Sequence, residues 1–447
     1  MELGRRVVER ARQKGADVAE AVVSEGSHLS TKVRLGEPEL VEEAGSRALG
    51  LRVMLGQQVA VSYTSDLTDR GVERFVEDAL ELARLSQPDE HAGPPDPSLL
   101  SRREDHPELR LYDAAVGTVD AGTALAHAKA GEAAAREADA RITNSEGATF
   151  TRAAGSKALV TSGGFAAASR GTYASLSVHP VADDADGKKR SGYYWTARRH
   201  LAELLPDADV GREAARRTLA KLGARKVETQ ECAVVFDPDV GRSILGLLAG
   251  CINGGAIWRR SSYLVDKLGE RVASDLVTVT DDPLIAGGPG SRPFDGEGLA
   301  SRRNVVVENG ILKSYLLDTY AGRKLGMPST ASASRGASGG VGPSTTNFVL
   351  TPGAMSPEAL LASTPRGLYV TEMMGFGFNA VTGDFSRGAA GFWIEGGEKT
   401  FPVSEVTISL NLHAMLEGID AVADDLDLRT SVATPTFRVR AMTLAGR

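Results

Sequence analysis

Histidine and cysteine are scarce in this chain, and that scarcity limits its chemistry more than any other feature. The histidines number seven: His28, His91, His106, His127, His179, His200 and His413. No two fall within one helical turn, and none lies between His200 and His413. A helix carrying His-Glu-x-x-His is therefore absent, whereas a catalytic zinc takes about three nitrogen, sulfur or carboxylate ligands plus an open position. The two cysteines, Cys232 and Cys251, exclude a disulfide scaffold and fit a reducing compartment. No apolar run approaches the roughly 18 residues of a membrane span. The opening Met1–Arg6 is charged and leads into no apolar signal-peptide core. The net charge is −7, with Lys and Arg interspersed among Asp and Glu. No basic block is left to neutralise a phosphate backbone. The expected setting is soluble and cytoplasmic, with neither nucleic acid nor membrane as a partner.

Aromatics make up 5% of the chain while glycine contributes 50 residues. That balance favours tight turns and strands packed with Val, Leu and Ala. At 447 residues the chain exceeds the size at which one core usually stops growing, so two domains are expected, 1–226 and 227–447. The first half reads as helix, antiparallel strands and helix. Leu3, Val7, Val8 and Ala11 share a helical face, and short strands are expected at Ala19–Ser24, Thr31–Leu35, Ala48–Leu55 and Val59–Tyr63, separated by Gly-containing turns. Helical spacing returns over Thr68–Leu85, and Gln87–Pro107, with five prolines, reads as a long loop or linker. A second round follows: a helix over Ala121–Ala138, strands near Ile142–Arg152, Ser156–Phe165 and Tyr173–Pro180, and a helix over Val210–Leu222 with Asp209 as its cap. Duplicated halves would explain the repeat, and chance explains it equally well. Beyond Val227 the texture is β-rich. Cys232–Phe236 reads as a buried strand, Asp237-Pro238 opens a helix to about Cys251, and Asn309-Gly310 supplies the positive φ angles of a hairpin turn. The expected fold class is α+β, a helix–sheet–helix amino-terminal domain followed by a β-rich carboxy-terminal one.

Several residues invite chemistry, each with a simpler structural alternative. Cys251 would be a nucleophile only if a neighbouring base lowered its pKa, and no histidine is near in sequence. Asp281, Asp282, Asp295 and Glu297 offer paired carboxylates, although "DDP" and "FDGEG" more commonly shape turns and caps. The loops Gly287–Gly290 and Gly336–Gly342 could cradle an anion but lack a Walker lysine or Rossmann spacing. Glu372–Ser386, "EMMGFGFNAVTGDFS", carries Asn379, Thr382 and Asp384 among glycines that permit close backbone approach. It reads either as the wall of a peptide groove or subunit interface, or as a Gly-rich hairpin serving the fold. Arg335 and Asn347 flank another Gly/Ser-rich stretch and are secondary candidates for the same groove or interface.

An ordered series runs through the second half: Gly269-Glu270-Arg271-Val272-Ala273-Ser274, Thr280-Asp281-Asp282, Phe294-Asp295-Gly296-Glu297-Gly298, Glu308-Asn309-Gly310-Ile311-Leu312 and Tyr320-Ala321-Gly322-Arg323-Lys324-Leu325-Gly326. It continues through Thr382-Gly383-Asp384-Phe385-Ser386 and Gly391-Phe392-Trp393-Ile394-Glu395. This series resembles the carboxy-terminal half of the TldD/PmbA protease family, and similar texture extends over the full length. The resemblance implies a zinc-dependent protease built from two related subunits. In the TldD branch a helix carries His-Glu-x-x-x-His, with a later cysteine at the metal. Counted back without gaps from Gly269-Glu270, that motif falls on Leu245, Gly246 and Gly250, none of which binds zinc or acts as a base. Near the expected cysteine the chain reads Leu428–Ala433, again without a ligand. This combination resembles the TldE (PmbA) branch. It implies no cofactor in this chain, zinc in a TldD-type catalytic partner, and a heterodimer acting on unfolded peptides, which strand addition would hold with little sequence preference. The alternatives are a homodimeric peptide-binding or scaffolding protein and a hydrolase with a metal-free site.

Overall fold

The computed structural model describes residues 1–185, 187–336 and 340–447. It is an α+β protein whose amino-terminal sheet is built from two helix–strand–helix rounds. The first comprises α1 (Glu2–Gln13), β1 (Val18–Arg34), β2 (Glu37–Leu55), β3 (Gln58–Thr64) and α2 (Asp69–Leu85). Apart from the short α3 (Ala114–Gly117), the second comprises α4 (Ala121–Glu137), β4 (Ile142–Thr161), β5 (Ala166–Asp183), β6 (Lys189–Ser191), β7 (Tyr194–Arg198) and α5 (Asp207–Leu219). The strands form one seven-stranded sheet, ordered β3-β2-β1-β4-β5-β6 with β7 also on β5, and β1 and β4 pair antiparallel at its centre. The helix starts follow local chemistry. Thr68 caps α2 by accepting the Gly71 amide (3.1 Å), and Asp120 caps α4 by accepting that of Thr123 (2.7 Å). At α5 the expected Asp209 cap is replaced by Pro206, with Asp207 and Asp209 both inside the first turn.

The short strands expected from the glycines are in fact two long ones. β1 runs 17 residues and β2 runs 19, straight through Gly26 and Gly45. Ile142–Arg152 and Ser156–Phe165 likewise fuse across Gly155 into β4. Gly26 and Gly155 are register partners in the sheet, and a Cβ on Gly155 would lie 3.1 Å from the Glu25 carbonyl oxygen. These glycines therefore admit a close strand crossing rather than a turn. The length has a packing reason. Ala19 and Ala21 at one end of β1 pack with α1 and α2, whereas Leu29 and Val33 at the other end pack with α4 and α5. β1 thus serves both cores, as does β4 through Val160 on one side and Ala148 and Phe150 on the other. The β1–β2 tip is tied to the second round as well, where the buried Glu132 carboxylate of α4 accepts the amides of Leu35 (2.8 Å) and Gly36 (2.7 Å).

The carboxy-terminal domain begins with β8 (Gln230–Phe236) and α6 (Pro238–Cys251), followed by α7 (Gly254–Trp258). A five-stranded sheet, ordered β11-β10-β9-β14-β19, contains β9 (Val279–Asp281), β10 (Asn304–Glu308), β11 (Ile311–Leu312), β14 (Phe348–Leu350) and β19 (Val432–Ala433). Between these lie α8 (Thr319–Leu325) and the hairpin β12 (Ala333–Arg335) with β13 (Val341–Pro343). The main sheet, ordered β17-β16-β15-β8-β20-β18, uses β15 (Arg366–Met374), β16 (Asp384–Glu395), β17 (Glu398–Asn411), β18 (Ile419–Val422) and β20 (Phe437–Ala445), with α9 (Pro357–Ala362) and α10 (Leu412–Glu417) alongside. Thr407–Ser409 pair with Thr443–Ala445, so β17 also meets β20 and five strands close on themselves. β8 and β15 pair in parallel, and α6, which follows β8, buries Ile244, Leu245 and Leu248 in the domain core. Asn309 (φ 46°) and Gly310 (φ 82°) make the β10–β11 turn anticipated from Asn-Gly.

The proline-rich stretch 87–107 is a strap across the carboxy-terminal domain. The Ser101 amide donates to the Gly298 carbonyl (2.9 Å), Tyr320 donates to Asp89 (2.7 Å), and Arg323 donates to the carbonyls of His91 (3.2 Å) and Pro94 (2.6 Å). Among the described residues no helix is long and apolar enough to cross a membrane.

Candidate functional site

α6 holds Leu245, Gly246 and Gly250, the residues on which the ungapped count places the family's zinc motif. Asp237 caps it by accepting the Asp239 amide (3.0 Å), and Pro238 occupies the first turn, where its missing N–H costs nothing. Leu245 is buried in the core beneath the helix. Gly246 and Gly250, one helical turn apart, border open space, where an added Cβ would meet nothing within 4 Å. Room exists on this face for larger side chains, yet none is present. His413 lies 3.5 Å from Glu417 on α10 and edge-on to Tyr263. Among the described residues no group of three or more His, Cys, Asp or Glu is placed to hold a metal. The donors on and around α6 do not fit a zinc ion.

Cys251, at the end of α6, is buried, and burial pushes its thiol up to about 11, the opposite of what a nucleophile requires. The four carboxylates singled out above mainly hold backbone amides. Asp281 accepts Thr346 N–H (2.6 Å) and Asp282 accepts Leu284 N–H (2.9 Å). Asp295 accepts the amides of Glu297 (2.8 Å), Leu299 (2.9 Å) and Ala333 (3.2 Å). Glu297 accepts both the amide (2.9 Å) and the hydroxyl (2.6 Å) of Thr319. Burial raises Asp281 to about 6, and burial reinforced by Asp295 raises Glu297 to about 7.

The secondary candidates are structural in their contacts. Asn347 is fully buried, accepting the Gly290 amide (2.8 Å) and donating to the Asp282 carbonyl (2.6 Å) and the Ser291 hydroxyl (2.8 Å). The loop Gly287–Gly290 that it holds turns the carbonyls of Gly288 (2.9 Å) and Pro289 (2.6 Å) toward Arg199, so it grips a guanidinium rather than an anion. Residues 337–339 of the other glycine-rich loop lie outside the described residues. Arg335 joins the two domains: its guanidinium reaches Glu20 of β1 at 2.6 Å, and Arg52 reaches the same carboxylate at 3.2 Å. Burial works to raise Glu20, but the two guanidiniums hold it below its ordinary value.

Glu372–Ser386 runs from the end of β15 through the connecting loop into the start of β16. The Asn379 side-chain oxygen accepts the Val381 amide (3.0 Å), Thr382 donates to Asp384 (2.7 Å), and Asn411 donates to Asp384 (3.3 Å) and to the Thr382 carbonyl (2.8 Å). Asn379, Thr382 and Asp384 thus shape the loop by bonding within it. The loop exposes polar and apolar side chains alike: Asn379, Thr382 and Asp384 are exposed, as are Met374 (52%), Phe376 (96%) and Val381 (57%).

One group of residues escaped the sequence reading. At the domain junction α5, the start of α6, β15 and β17 enclose a cavity of about 400 Å³. Its lining includes Arg216, Arg217, Lys221, Asp237, Tyr369 and Lys399. Tyr369 donates to Asp237 (3.2 Å), whose carboxyl burial raises, and the Lys399 ammonium sits 3.2 Å from the centre of the Tyr369 ring. Crowding by protein pushes Lys399 down to about 8. No spacing rule could unite these residues, because they come from four elements across both domains.

Comparison with known proteins gives matches over most of the chain. Three family models match in order: the PmbA/TldA metallopeptidase domain 1 over residues 19–83, the central domain over 115–222 and the C-terminal domain over 229–446. The chain is 39% identical to the metalloprotease PmbA homolog of Haemophilus influenzae, covering 98% of this chain and 94% of that protein. It is 38% identical to metalloprotease PmbA of Escherichia coli O157:H7, covering 97% and 93%. Similarity to the H. influenzae metalloprotease TldD homolog, 32% identical, covers 39% of this chain and 37% of that one. Among solved structures, a Bacteroides thetaiotaomicron protein crystallised as a candidate modulator of DNA gyrase superposes with a TM-score of 0.93 at 27% identity, covering 100% and 98%. TldE from Thermococcus kodakarensis superposes at 0.88 with 22% identity, covering 99% and 100%, which is a likeness of fold.

Proposed function

The chain belongs to the PmbA/TldD metallopeptidase family, and from that premise we propose that it is the TldE/PmbA-like subunit of a two-subunit zinc metalloprotease. In this reading it lacks the zinc site, shapes the substrate chamber, and acts in the cytoplasm with a TldD-type partner that holds the zinc. The observation that carries this reading is α6, a helix with Leu245, Gly246 and Gly250 where the ungapped count expects the family's zinc motif. The reach of the similarities supports the same branch, near full length for the PmbA-named relatives and about two fifths of the chain for the TldD-named one. A domain kept without its chemistry points to a duty in assembly and in restricting access to unfolded peptides. The apolar tip Met374, Phe376 and Val381 is the surface we assign to that contact, with Asn379, Thr382 and Asp384 holding it in shape.

The test mixes the purified chain with a TldD-type chain from the same cell and follows cleavage of an unfolded peptide. Activity is expected only in the mixture, abolished by chelation and by replacing the glutamate of the partner's zinc helix. Phe376→Ser is expected to weaken assembly, read by native mass spectrometry, without removing zinc from the partner. Equal activity of this chain alone, or of the partner alone, overturns the reading. A stable homodimer that ignores the partner would favour the scaffolding alternative.

A further inference from the structure

We propose that the cavity at the domain junction is a binding site for a small organic anion, whose acid group is held by Lys399 and whose apolar body lies against the surrounding rings. None of Leu245, Gly246 or Gly250 lines this cavity, so the inference does not depend on the subunit role proposed above. Its volume of about 400 Å³ and its position between domains are those of small-molecule sites, which run from roughly 300 to 1,000 Å³.

The charges inside it are nearly all paired. Arg216 forks onto Glu213 through two bonds of 2.7 Å. Arg217 bonds Glu213 (2.9 Å) and Asp239 (3.3 Å). Lys221 pairs with Glu372. Asp237 is occupied by the Asp239 amide and the Tyr369 hydroxyl. Lys399 differs. Among the described residues its ammonium makes ring contacts only, at 3.2 Å from the Tyr369 centroid and 5.9 Å from that of Phe392. The charged groups that act on it are Asp237 and Glu358, which favour its charge, and Arg216 and Arg217, which oppose it. Lys399 is an exposed residue, so its ammonium is open to an anionic ligand, whose charge would favour the charged form that desolvation disfavours. Phe392, Phe401 and Pro402 give the apolar wall, and Thr371 adds a hydroxyl to the lining, whereas the Thr400 hydroxyl already donates to the Trp393 carbonyl (3.2 Å). Inorganic anions can use Lys399 but not the wall, and amines can use the wall but not Lys399.

Calorimetric titration of the full chain with phenylacetate, phenyl phosphate, inorganic phosphate and benzylamine tests this. At least one aromatic anion is expected to bind at about pH 7, on the order of tenfold tighter than inorganic phosphate, with benzylamine silent; the two anions separate carboxylate from phosphate ligands. Lys399→Met is expected to weaken binding by about tenfold or more, and Lys399→Arg to retain most of it. In the wild-type chain, reductive methylation read by mass spectrometry is expected to modify Lys399 early and to slow there when the anion is added. The proposal is overturned if neither aromatic anion binds at millimolar concentration, if Lys399→Met binds as the wild type does, or if the anion leaves methylation of Lys399 unchanged.

Discussion

Replacing Glu297 with Gln should remove one component of the chain's pH-dependent stability, the one lost as pH rises through about 7. Glu297 is buried beside Asp295, and its carboxyl is raised from an ordinary 4.5 to about 7. A folded-state pKa above the unfolded value means that the folded chain binds the proton more tightly. Stability from this group is therefore fully present below about pH 4.5, falls as pH rises through 7, and levels off above it. At 1.36 kcal/mol per pH unit the full span is about 3 kcal/mol, of which about 2.5 kcal/mol falls between pH 5 and 8. Glutamine keeps an oxygen for the Thr319 amide and hydroxyl and cannot ionise. The assay is thermal unfolding of both proteins across that range. For a domain of about 220 residues, 1 kcal/mol corresponds to roughly 2–4 °C, so the variant should gain about 5–10 °C on the wild type between pH 5 and 8. A difference in Tm that stays constant with pH would refute the assignment of the raised pKa to Glu297.

The buried groups give three further outcomes. Arg335→Met should destabilise the chain by about 3–5 kcal/mol, because it leaves Glu20 buried with only Arg52 as a charged partner; urea unfolding measures this, and a loss below about 1 kcal/mol would mean that the junction relaxes around the change. Cys251, with its thiol pushed up to about 11, should resist alkylation by iodoacetamide at about pH 8 in the native chain and react once denatured, and Cys251→Ser should leave the activity of an assembled complex largely intact; rapid native labelling would show an open route to the thiol.

Much of the fold was legible in the sequence because it follows local rules. Asp237-Pro238 marked the start of α6, Asn309-Gly310 marked a hairpin, and the helical spacing of Val72, Phe75, Val76, Ala79 and Ala83 marked the buried face of α2, although Leu82 on the same spacing is exposed. The ordered series from Gly269 to Glu395 carried the family, and the wide spacing of the histidines already spoke against a zinc helix. The lengths of β1 and β4 were not legible. Gly26 and Gly155 read as turns, and only their facing positions in the paired strands show why the chain runs straight through them. Arg335 and Asn347 looked like site residues because polar side chains beside glycine loops often are. Their burial and partners come from segments up to 315 residues away in sequence, where no periodicity reaches. Lys399 gave no local signal at all. Its lowered pKa and the cavity around it arise where α5 faces β15 and β17, for the charge of a side chain is set by what tertiary structure brings near it.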